Sequence, residues 1–222
     1  MKKGLVVVGI LSFLLVGCST TGSSAKETDP EVQEISVSLP AELTTLDTTQ
    51  TTDKVTFTVI QHLFEGSYRF DEKSQPVPGL AEEAVISEDG KTYTFKLKEE
   101  AKWSDGQQVQ AADFAYAWKK LVDPKTMGPN AYLLDNVVNS QDIREGKADI
   151  ATIGLETPDE KTFVVHLEQL QPSFLSVVSI GWLAPQRQSY VEEKGTAYGK
   201  TSEDLLYTGP FILKDWQQTG AE

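Results

Sequence analysis

YTFKLKEEAKWSDGQQVQAADFAYAWKKLVDP, residues 93–124, holds a strand, a turn and a helix in one uninterrupted run. Tyr93, Phe95 and Leu97 alternate with Thr94 and Lys96, the period of two that sets one face on a core and leaves the other wet. Asp105-Gly106 is a tight-turn pair. Beyond it Phe114, Trp118, Leu121 and Val122 recur at helical spacing, and Pro124 closes the helix. Asp113 falls near the helix start, where a negative charge suits the dipole, and Trp118 has the size of a core anchor.

Working upstream, Asp89-Gly90 marks the turn that introduces the strand, KSQPVPGL reads as a loop, and SYRFD as a short strand. From Asp53 the apolar positions Val55, Val59, Ile60, Leu63 and Phe64 predict a helix, with Thr51, Thr52 or Asp53 as its cap and Gly66 as its stop. The Thr-rich loop AELTTLDTTQTTD precedes it. EISVSLP before that loop places Ile35, Val37 and Leu39 on one face and predicts a half-buried strand. Downstream, residues 131–138 and 141–146 suggest short helical pieces. TPDEKTFVVHL predicts a turn and a strand with Phe163, Val165 and Leu167 inward, PSFLSVV predicts a helix, GWLAPQRQSYVEEKG leads irregularly into another, and YTGPFILKDWQQ predicts a final strand. The irregular alternation of elements with local hairpin signals indicates a mixed α/β domain with antiparallel parts.

The first residues have a different character. Lys2 and Lys3 precede an apolar run from Leu5 to Val16 and then small residues, the layout of an export signal. The run is shorter than the ~20 residues that a spanning helix needs. Leu15-Val16-Gly17-Cys18 contains the one cysteine of the 222 residues, which therefore has no partner for an internal disulfide. STTGSSAKETDPEVQE follows without apolar periodicity and reads as a flexible tether. The expected organisation is a signal at 1–17, a tether at 18–34 and a folded part over 35–222. The formal charge of −13, about two units more negative once the signal is removed, argues against nucleic acid or anionic lipid surfaces as partners.

No Gly-x-Ser-x-Gly, His-Glu-x-x-His, phosphate-binding loop or dinucleotide fingerprint occurs, so no catalytic residue is nominated and no cofactor is expected. His62 and His166 stand far apart in sequence and are read as structural or surface residues. A metal site needs three or four converging ligands, and the sequence offers no such cluster. The pairs Glu82-Glu83, Glu99-Glu100 and Glu192-Glu193 are read as solvated surface.

Taken together, TTLDTTQTTD (44–53), HLFEGSYRFD (62–71), PVPGLAEE (76–83), the run at 93–124 and YTGPFILKDW (207–216) resemble the extracytoplasmic solute-binding proteins of peptide ABC importers, the oligopeptide- and dipeptide-binding group of family 5. Lys102 to Gly106, with Ala112-Asp113-Phe114 and Trp118, is the most specific part. The resemblance implies the N-terminal part of a two-lobed, type II periplasmic-binding-protein clamshell with mixed sheets: a first lobe and its accessory subdomain, with the second lobe absent from this sequence. It implies an oligopeptide ligand held by backbone hydrogen bonds, permease subunits in the membrane as partners, and a monomer. Leu15 to Cys18 resembles the lipobox of bacterial lipoproteins, which makes Cys18 the lipidation site and places the protein outside the cytoplasm, anchored to the cell membrane. Carried over by position, the ligand contacts in this part are Thr51, Thr52, Asp53, Lys54 and Asn130. Asn130 stands where oligopeptide-binding relatives often carry tyrosine, and Thr48 replaces a common proline. Trp182 is read as packing within the first lobe. The resemblance covers under half of a typical relative, so a truncated product with weak or no peptide affinity is expected. The alternatives left open are a pheromone sensor, a carrier of nickel, haem or sugars, and a surface-anchored hydrolase.

Overall fold

The structure is a computed structural model and describes residues 34–216; the signal, Cys18 and nearly all of the tether lie outside the described residues. Two compact units divide after Ser38. In the first, residues 34–38 form no strand, and Ile35 and Val37 are 63% and 69% exposed, which corrects the half-buried strand expected there. Alternation shows which face of a strand would be buried, but a strand exists only where a neighbour completes its ladder.

The second unit begins at Leu39 and has two apolar cores. The larger is built on a four-stranded antiparallel sheet. Its strands are β3 (Val85–Ile86), β4 (Thr92–Lys96), β5 (Leu155–Glu156) and β6 (Thr162–His166), in the order β3-β4-β6-β5. The central pair runs in register from Thr92 opposite His166 to Lys96 opposite Thr162. Tyr93, Phe95, Phe163 and Val165 point to the same side and are buried, as the alternation requires. Across that face lies α2 (Ala111–Val122), whose Phe114 ring stacks on Phe163 at 5.6 Å while Trp118 meets the same ring edge-on at 5.1 Å. The Trp118 indole also donates to the Leu183 carbonyl at 3.0 Å, so its one polar atom is satisfied in the core.

A small hairpin joins this core. It consists of β1 (Tyr68–Phe70), the short strand expected in SYRFD, and β2 (Pro76–Pro78), where a loop was expected over 73–80. Prolines 76 and 78 fit because the bonded positions of the ladder alternate: Gly79 N–H donates to Ser67 and Asp71 N–H to Gln75, leaving the prolines at sites where no N–H is needed. The two-residue strands β3 and β5 are too short to leave a periodic signal.

The second core forms around α1 (Lys54–Leu63), with Leu43, Leu46, Ile60, Leu63, Phe64, Ala184, Val191, Tyr198, Leu205 and Tyr207 buried together. Short helices α3 (Ser140–Arg144), α4 (Phe174–Val178) and α5 (Gln188–Lys194) and several 3-10 turns complete the unit. The final strand expected over 207–218 is not formed over its described residues, 207–216. Phe211, Leu213 and Trp216 pack on the second core in irregular chain, and Ile212 is 66% exposed. Ladder partners are again what is missing among the described residues.

The turn at 103–106 links the two cores. Gly106 takes φ +84°, which a residue with a Cβ adopts only with strain. Ser104 N–H donates to the Tyr207 carbonyl at 2.8 Å, Tyr207 N–H donates to Ser104 Oγ at 3.1 Å, and Asp105 pairs with Arg187 at 2.7 Å. Burial would raise the Asp105 carboxyl, but the Arg187 guanidinium and the Gln107 N–H outweigh it and hold it below its ordinary value.

Candidate functional site

The loop from Thr45 to Asp53 delivers the chain to α1, and polar groups hold it along its whole length. Leu46 is fully buried, and its N–H donates to the Gly199 carbonyl at 2.8 Å. Asp47 Oδ1 accepts from the Thr49 N–H at 3.0 Å and the Thr49 hydroxyl at 2.7 Å, closing a turn whose Gln50 N–H donates to the Asp47 carbonyl. Asp47 Oδ2 lies 2.9 Å from Lys120 Nζ of α2. Gln186 bridges both groups: its amide oxygen accepts from Lys120 Nζ at 3.0 Å, and its amide nitrogen donates to Asp47 Oδ1 and to Thr48 Oγ1, each at 2.9 Å. The Tyr198 ring sits 5.1 Å from the same ammonium. Asp47, Thr48, Thr49 and Gln186 are all buried.

The second half of the loop is tied to the segment after α2. Gln50 Nε2 donates to the Thr126 carbonyl at 3.1 Å, and Asn130 Nδ2 donates to the Thr51 carbonyl at 2.7 Å. Asp53 is the cap of α1: its Oδ1 accepts from Thr56 N–H at 2.7 Å, and its Oδ2 accepts from the Thr51 hydroxyl at 3.1 Å. Burial would raise this carboxyl, but the bonds from Thr56 and Thr51 prevail and hold it below its ordinary value.

All five residues nominated from sequence therefore come together. Thr52, Asp53 and Lys54 are exposed, Thr51 is buried, and buried Asn130 directs its amide at Thr51. The network of Asp47, Lys120, Gln186 and Tyr198 was not nominated. Asp47, Lys120 and Gln186 are separated by more than sixty residues each, so no local spacing could announce it; the one clue was an aspartate in the middle of a Thr-rich loop. An open depression of about 480 Å³ lies beside it, lined among others by Tyr116, Lys119, Lys120, Thr126 and Gln188.

Trp182 packs on Phe57 of α1 with ring centroids 4.6 Å apart. His62 is exposed, with Nδ1 at 2.7 Å from the Thr58 carbonyl of its own helix, and His166 is placed between Glu156 and Thr92 on the sheet surface. Among the described residues, no group of three or more His, Cys, Asp or Glu converges as metal ligands, and no helix is long and apolar enough to cross a membrane.

Residues 75–221 match the model of the bacterial extracellular solute-binding proteins, family 5. The chain belongs to this family. Within it, this family 5 protein is 36% identical over 208 residues to a dipeptide-binding protein of Lactococcus lactis, covering 94% of the chain and 36% of that relative. Two solved structures are similar along most of its length. One is the oligopeptide-binding protein OppA of Listeria monocytogenes bound to peptide, with 36% identity, a TM-score of 0.79, and coverage of 81% of this chain and 36% of that one. The other is the peptide-binding pheromone receptor PrgZ, with 35% identity, a TM-score of 0.78 and the same coverage. The family 5 chain thus spans little more than a third of the length of the relatives it matches. Its mixed α/β fold is the fold of those peptide-binding proteins.

Proposed function

We propose that this chain is part of the binding subunit of a peptide ABC importer, capturing oligopeptides outside the cytoplasm for delivery to a membrane permease and performing no chemistry on them. The observation that carries this is the exposed Thr52-Asp53-Lys54 stretch, presented on a loop whose other side is held by buried bonds, in a chain similar to a structure solved with bound peptide. A pre-ordered rim suits a ligand recognised through its backbone, because little of the protein must be ordered on binding. Thr51 to Lys54 form the ligand-facing edge in this scheme. Residues 35–222 supply a first lobe and its accessory subdomain, with the tether over 18–34 and the signal over 1–17. Cys18 carries the lipid that holds the protein near its permease, raising the effective concentration of cargo there.

Calorimetric titration of the purified chain, freed of residues 1–17, with a mixed tri- to pentapeptide library tests the proposal. Heat of binding that Thr52→Trp diminishes supports it and overturns the expectation of weak or no affinity; cleavage of the peptides, or binding of nickel, haem or sugar instead, overturns the proposal. The likeness to PrgZ favours a second possibility, a signalling peptide as the cargo. Competition between a hydrophobic pheromone-type peptide and the nutrient library separates the two.

A further inference from the structure

We infer that Lys120 is a positioning residue, which fixes the backbone of the ligand-facing loop from α2 without touching the ligand; the inference rests on the proposed role of residues 51–54. Lys120 Nζ closes a ring with Asp47 and Gln186: ammonium to carboxylate at 2.9 Å, ammonium to amide oxygen at 3.0 Å, and amide nitrogen back to the carboxylate at 2.9 Å. Two of the ammonium donors, both amide groups of Gln186 and both carboxylate oxygens are engaged, and the Lys120 and Asp47 side chains are only 19% and 11% exposed. The ring acts on backbone geometry through the carboxylate, whose Oδ1 accepts the Thr49 N–H, and that bond lies inside the turn closed by Gln50 N–H on the Asp47 backbone carbonyl. The same helix then leads into the segment that holds Gln50 through Thr126 and Thr51 through Asn130. The loop is thus held to α2 and its C-terminal extension at three successive points, of which the Lys120–Asp47 pair is ionic and the other two are neutral. A loop released at Asp47 would have to be ordered when a ligand arrives, at a cost in affinity.

Amide hydrogen exchange on Lys120→Met, Lys120→Arg and Gln186→Leu in the whole chain tests this without any ligand. In Lys120→Met the Thr49 and Gln50 amides should exchange about tenfold faster while the β4 amides of Tyr93 and Phe95 keep their rates, and Lys120→Arg should restore most of the protection. Unchanged loop rates, or an equal rise in β4, overturn the inference. Gln186→Leu keeps the ion pair and reads what the bridging amide adds; should Lys120→Met not fold, Lys120→Gln, which removes the charge but keeps a donor, decides the matter in the same way. Calorimetry with trialanine adds the functional arm: affinity should fall about tenfold in Lys120→Met and return in Lys120→Arg. Equal affinity in wild type and Lys120→Met overturns the positioning role. A wild-type chain that does not bind trialanine accords with the weak or absent affinity expected of a chain spanning about a third of its relatives, and the exchange rates then decide the inference.

Discussion

At the residue scale, two aspartates at helix starts behave oppositely. Asp53 caps α1 from the surface, and its carboxyl is held below the ordinary value of 3.8. Its contribution to stability is therefore complete above that pH and is lost as the pH falls through the lower folded value. Asp53→Ala should destabilise by about 1 kcal/mol in denaturant unfolding at neutral pH, and Asp53→Asn should retain the cap while flattening the acid limb of stability against pH. Asp113 of α2 is buried, and desolvation raises its carboxyl despite bonds from the Gln110 N–H and the Trp103 indole. The folded state binds that proton more tightly than the unfolded one, so acidification through the raised value favours folding at this one site. Asp113→Ala leaves the indole and the amide unpartnered in the core and should cost about 2–3 kcal/mol by chemical denaturation, whereas Asp113→Asn keeps an acceptor and should cost less. The dipole role of Asp113 was legible from its position; its bond to Trp103 was not, because the turn at 104–106 decides which side chains meet.

At the element scale, periodicity found every structure whose burial is local. The stripe of α2 and the alternation of β4 and β6 emerge as written, since a helix or central strand facing one core must repeat its apolar residues. Trp118→Ala should lower stability by about 3–5 kcal/mol on thermal unfolding, because the site is closed by Phe163, Phe174 and the Leu183 carbonyl and has little room to collapse. Strand β1 was legible in SYRFD, but β2 escaped because its prolines resemble loop residues until the partner strand shows which positions need an N–H. In the candidate site, the segment Thr51 to Lys54 and Asn130 were legible through family resemblance, and Asp53 also through capping. The buried ring of Asp47, Lys120 and Gln186 was not. Gly199 shows how tightly that loop is held: it takes φ +78°, and a Cβ there would lie 2.5 Å from Asp47 N. Gly199→Ala should destabilise by about 1–3 kcal/mol and accelerate exchange of the Leu46 amide.

At the scale of the whole molecule, the two cores are joined by Ser104 with Tyr207 and by Asp105 with Arg187, so residues 103–106 act as a brace between them. Asp105→Ala should lower the melting temperature and separate the two cores into distinct transitions by calorimetry; a single sharp transition at the wild-type temperature would refute the brace. Cys18→Ala should leave this folded part unchanged and release the protein from the membrane fraction of cells, which fractionation and immunoblotting would read. By itself the sequence determined the helices α1 to α5, the strands β1, β4 and β6 and the inward faces of the central sheet, because local sterics, apolar periodicity and turn chemistry are properties of neighbouring residues, and its motifs carried the resemblance to a solute-binding family. Only the tertiary structure decided that residues 35–39 and 207–216 do not pair as strands, that prolines line a hairpin, and that the Thr-rich loop is held by a lysine and a glutamine far along the chain. Those outcomes depend on which distant groups supply a ladder or complete a buried hydrogen-bond ring, and no spacing within a segment encodes that.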